Sequence, residues 1–134
     1  MEIRIGAVLD HSALVAYARL DGLAVGELLM VLAENSDVAG VPAGCLLSAH
    51  EALGDDHEGR RRLAELATHP DIAVAVLPLM GPDVVDVMTA SGKAAELIGR
   101  HAVIEAHRRR VPLATYEAAT ARTEVHDVLD LAAH

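Results

Sequence analysis

The sequence predicts an α/β fold, a three-layer α/β/α sandwich around a mainly parallel central sheet. Short β-branched apolar runs alternate along the chain with longer segments whose apolar residues recur at helical spacing, the pattern of strands joined by helical crossovers. The chain is also 52% hydrophobic but only 1% aromatic, Tyr17 and Tyr116 being its aromatic residues. Its core is therefore aliphatic, as where helices pack on a sheet. At 134 residues, with no repeat or linker, it reads as a single domain over residues 1–134.

Residues 3 to 9 form the first strand, with Ile3, Ile5, Ala7, Val8 and Leu9 giving the near-continuous apolar run of a central position. Asp10 follows it, and Ser12 reads as the N-cap of a short helix ending near Ala18. Val25, Leu28, Leu29, Leu32 and Ala33 mark a second helix to about Asn35. "DVAGVPA" is a short strand or turn. A helix over about Ala43 to Leu53, carrying Leu46, Leu47 and Ala49, stops at Gly54 as its C′ residue. Another runs over about Glu58 to Thr68. "IAVAVLPL", residues 72–79, is a buried strand closed by its proline. "GPDVVDVMTASG" starts a helix with Pro82 in its first turn, and a longer helix extends from about Lys93 to Arg110. "VPLAT", 111–115, is a strand, and "EVHDVLDL", 124–131, supplies a further strand or a final helix.

Charge and cysteine usage narrow the function classes. A net charge of −9 argues against a general electrostatic grip on nucleic acid. The two basic clusters, Arg60-Arg61-Arg62 and Arg108-Arg109-Arg110, lie in helical segments and read as solvated helix surface. The single cysteine, Cys45, excludes an internal disulfide and reads as a small core residue. It fits a cytoplasmic location. No apolar run approaches the roughly 18 residues of a membrane span. "HEALGDDHEG" is rich in ligand-type residues but has no recognisable ligand spacing, and reads as a solvated loop.

In a parallel sheet the functional crevice lies beyond the carboxyl ends of the strands. Asp10 falls there, and Glu117 lies two residues past the "VPLAT" strand.

These residues resemble a known family. "AVLDHSALVAYA" looks like the opening of a PIN domain, where a strand ends in a metal-binding Asp followed by Ser or Thr. "GCLLSAHEAL" is similar to the helix that carries the family's second acid, here Glu51. "ELIGRHAVIEAHRRRVPLATYE" resembles its closing signature, with Ile104, Ala106, Thr115 and Glu117 in place. The resemblance implies a carboxylate cluster binding Mg²⁺ or Mn²⁺ for hydrolysis of RNA, with Asp10, Glu51 and Glu117 as catalytic acids and metal ligands. Ser12 and Thr115 would orient carboxylates or water.

One position departs from the pattern. His101 stands where an Asp is expected, and imidazole is a poor ligand for Mg²⁺ although Mn²⁺ accepts it better. Glu105, one helical turn on, is the acid placed to reach toward the vacated position as a fourth metal ligand. His101 would then be a supporting group.

Two functions follow from the resemblance. One is a PIN-like metal-dependent endoribonuclease, similar to toxins of toxin–antitoxin pairs and held by an antitoxin-like partner. The other is a PIN-like binding or regulatory module that has lost catalysis. The aliphatic surplus implies a homodimer under either.

Overall fold

The computed structural model describes residues 3–21, 23–69, 72, 74–89 and 94–133. Strand β1 (Arg4–Leu9) leads into helices α1 (His11–Arg19) and α2 (Ala24–Glu34). Strand β2 (Asp37–Pro42) is followed by α3 (Ala43–Ala52) and α4 (His57–Thr68), then β3 (Val74–Leu77) by α5 (Gly81–Thr89) and α6 (Ala94–Arg109). Strand β4 (Leu113–Thr115), the single turn α7 (Ala118–Ala121), β5 (Val128–Asp130) and a 3₁₀ turn (Leu131–Ala133) complete the chain. The expected helix start at Lys93, and the tail of the preceding helix at 90–92, lie outside the described residues.

The five strands form one parallel sheet in the order β3-β2-β1-β4-β5. Strand β1 is central. Its consecutive residues Ala7, Val8 and Leu9 point alternately to the two faces, and all three are fully buried, so the sheet is covered on both sides. Ala13, Leu14, Ala18, Leu63, Leu66, Ala102 and Ala106 from the helices close the same aliphatic core.

Two glycines answer to geometry. A side chain at Gly6, where the β1–β2 register shifts, would begin 2.6 Å from Leu32. Gly54 holds φ +52 just past α3, the left-handed end that suits glycine.

The structure settles several elements that the sequence leaves open. "DVAGVPA" is a strand paired on both sides, and the C-terminal segment supplies β5 and a 3₁₀ turn. Asp10, not Ser12, caps α1: its Oδ1 accepts from the Ala13 amide at 3.0 Å. Among the described residues no helix is long and apolar enough to cross a membrane.

Candidate functional site

Pairing between β1 and β4 sets Leu9 abreast of Ala114, and the Asp10 amide donates to the Ala114 carbonyl at 3.3 Å. Asp10 and Thr115 thus leave the carboxyl ends of neighbouring parallel strands together. A hydrogen-bonded relay joins them. Ser12 Oγ donates to Asp10 Oδ1 at 2.7 Å. With its proton so used, Ser12 Oγ is an acceptor, taking the Thr115 hydroxyl at 3.1 Å and the Tyr116 amide at 3.0 Å. Thr115, fully buried, in turn accepts the Glu117 amide at 2.9 Å. Asp10 Oδ1 therefore takes two hydrogen bonds, while Oδ2 takes none from the described residues. The structure brings Asp10, Ser12 and Thr115 together.

The other acids are placed differently. Glu117 stands at the N-cap of α7 with an exposed side chain. Glu51 is exposed near the end of α3. It is Ser48, one turn earlier, that α3 presents beside Asp10's neighbour: Ser48 Oγ lies 2.7 Å from His11 Nδ1 and donates to the Cys45 carbonyl at 3.1 Å.

His101 and Glu105 are both buried in α6, 1% exposed each. His101 Nδ1 accepts the Gly44 amide at 3.2 Å, which assigns the proton of the neutral ring to Nε2. Among the described residues that Nε2 has no partner within hydrogen-bond geometry; it lies 3.8 Å from Glu105 Oε1. Burial pushes the His101 pKa below its ordinary value, against the opposing pull of Glu105, the Pro78 carbonyl and Asp83.

Glu105, expected to reach toward the crevice as a ligand, has both oxygens bound by arginines instead. Arg108 donates to Oε1 and Arg109 to Oε2, each at 2.9 Å. Arg108 also pairs with buried Asp83, and its guanidinium holds that carboxyl below the usual range. Spacing along the chain does not reveal this competition, because Asp83 is 25 residues away on another helix.

The second basic cluster is likewise committed. Arg60 donates to the His50 carbonyl, Arg61 bridges Glu58 and Glu65, and Arg62 reaches the Ala18 carbonyl at 2.7 Å. Cys45 is fully buried, and burial together with the nearby Asp10 charge pushes its thiol up to about 12. It is no nucleophile at neutral pH.

Among the described residues no group of three or more His, Cys, Asp or Glu side chains is placed to hold a metal ion. With Glu105 ion-paired, Glu51 and Glu117 exposed and His101 offering a protonated Nε2, the residues as placed do not fit a resident Mg²⁺, which takes oxygen ligands in near-octahedral geometry.

The fold itself has a solved counterpart. A chain of the VapBC2 structure from Rickettsia felis, bound to a DNA fragment from their promoter, superposes with a TM-score of 0.61 at 14% identity, over 93% of this chain and 97% of that one. The fold is PIN-like. No family model and no curated protein matches the sequence. On this PIN-like scaffold, Asp10 and the Ser12–Thr115 relay stand where a parallel sheet places ligands. The residues that sequence reasoning missed are His11 and Ser48. Their signal was faint: a histidine beside the strand-end acid, and a serine on the helix that faces it.

Proposed function

We propose that the chain is a PIN-like protein of the toxin–antitoxin type that takes RNA into the Asp10 crevice and acts on it as an endoribonuclease. The observation that carries this reading is the relay from the Glu117 amide through Thr115 and Ser12 to Asp10. It fixes one carboxylate oxygen and leaves the other open at the mouth of the sheet. The likeness to VapBC2 supports an antitoxin-like protein partner. A homodimer belongs to the same reading, with a second copy covering the exposed apolar run of Met80, Val84, Val85 and Met88. A cytoplasmic setting suits the single cysteine.

Mg²⁺ or Mn²⁺ is the cofactor that the resemblance implies. Because the acids do not form a cage, the endoribonuclease reading requires Glu51 and Glu117 to be recruited to Asp10 when the ion binds. A second reading, a PIN-like binding or regulatory module without nuclease activity, is favoured by the commitment of Glu105 to Arg108 and Arg109.

One pair of measurements separates the two. Isothermal titration with Mn²⁺ and Mg²⁺, run beside cleavage of a mixed-sequence RNA, is expected to show binding and cleavage by the native protein. Both should vanish in Asp10→Asn while the circular dichroism spectrum is unchanged. If the native protein neither binds the ions nor cleaves, and His101→Asp gains binding, the binding-module reading replaces the nuclease.

A further inference from the structure

Next to Asp10 in the chain is a side chain that neither reading uses. His11 is the first residue of α1, half-buried and adjacent in sequence to Asp10. Its Nδ1 lies 2.7 Å from Ser48 Oγ, and that hydroxyl lies 3.1 Å from the Cys45 carbonyl. A serine hydroxyl has one proton, and a carbonyl oxygen can only accept. Both contacts are hydrogen bonds only if Ser48 donates to Cys45 and His11 Nδ1 donates to Ser48. The proton of the neutral ring is then on Nδ1, and Nε2 carries a lone pair that no described residue engages.

Two consequences follow from this assignment. His11 follows Asp10 directly at the carboxyl edge of the sheet, so its Nε2 joins Asp10 Oδ2 as a second acceptor that no described residue engages. Such a pair cannot bind a phosphate oxygen, which is itself an acceptor. It selects a ligand group that donates. In RNA the donor that every nucleotide carries and DNA lacks is the ribose 2′-hydroxyl.

We propose that His11, held in its Nδ1–H tautomer by Ser48, accepts a hydrogen bond from a ribose 2′-hydroxyl and so sets a preference for RNA over DNA. The proposal rests on the reading of the crevice as an RNA site. It fits the charge distribution, because Arg60, Arg61, Arg62, Arg108 and Arg109 are spent on protein acceptors. With little attraction for phosphate, recognition falls to short-range hydrogen bonds.

The test is binding, not turnover. Fluorescence anisotropy of a labelled 12-nucleotide RNA and of its all-2′-deoxy counterpart, without divalent metal, gives the affinity ratio for each variant. The native protein is expected to prefer the RNA by about fivefold, the worth of roughly one net hydrogen bond. His11→Ala should bring the ratio to about one, and His11→Gln, whose amide oxygen still accepts, should restore part of it. Nitrogen chemical shifts of the His11 ring should report the Nδ1–H tautomer in the native protein and a mixture in Ser48→Ala. A preference for RNA that survives His11→Ala, or an Nε2–H tautomer in the native protein, overturns the proposal and leaves the RNA reading standing. Failure of the native protein to bind either oligonucleotide overturns both.

Discussion

Ser12 carries more of the site than its size suggests, since one hydroxyl donates to Asp10 and accepts from Thr115 and the Tyr116 amide. Ser12→Ala removes all three bonds and leaves the proton of the buried Thr115 hydroxyl without its acceptor. A loss of about 1–3 kcal/mol is expected in urea unfolding. Asp10 was legible in the sequence because a carboxylate ending an apolar strand stands at the sheet's carboxyl edge whatever the details. Its role as the helix cap was not, because Ser and Asp compete for that position, and Ser12 is instead engaged by Thr115, 103 residues away along the chain. Glu51 shows the same limit. Spacing puts an acid on α3, but only packing decides that Ser48 faces His11 while Glu51 meets solvent.

At the scale of elements, α6 holds the buried charges. Glu105 needs Arg108 and Arg109, which are partly exposed and can be hydrated if they lose it, whereas Glu105 cannot. Replacing both arginines by Ala should therefore destabilise the fold more than Glu105→Gln does, by about 2 kcal/mol or more in parallel denaturation curves. His101 makes α6 sensitive to acid. Its pKa is lowered in the fold, so the unfolded chain takes up a proton first. The stability that the neutral ring contributes is complete above about pH 6.5 and is lost as pH falls through its lower folded value, at up to about 1.4 kcal/mol per unit. Asp83 acts in the same direction only below its ordinary value of 3.8. Unfolding measured from pH 7.5 to 5 should show the His101 slope, and His101→Asn, which keeps an acceptor for the Gly44 amide, should flatten it. The helices and strands were mostly readable from apolar periodicity. Strand β2 was ambiguous because Gly40 and Pro42 interrupt its apolar run, the β5 segment because it is only three residues long, and α7, a single turn, has no periodicity to read.

For the whole molecule, charge and apolar surface set the behaviour. A chain of net charge −9 whose clustered arginines, Arg110 apart, are engaged by protein acceptors should bind the proposed RNA with a shallow salt dependence. A slope of log affinity against log salt steeper than about −2 would show a phosphate grip elsewhere on the surface. In the proposed homodimer, the exposed side chains of α5, with Val85 57% and Met88 74% accessible, are the face that a second copy would cover. Light scattering is expected to give a dimer for the native protein and a monomer for Val85→Glu. The sheet order adds a consequence for biosynthesis. Strand β1 leaves the ribosome first, yet its partner β4 follows only at residues 113–115, after every other strand but β5. One edge of β1 is left without its ladder through most of translation, and closing so long a loop is slow. The nascent chain has its first two strand partners long before it has a crevice, so Asp10 acquires its relay only when synthesis is nearly over.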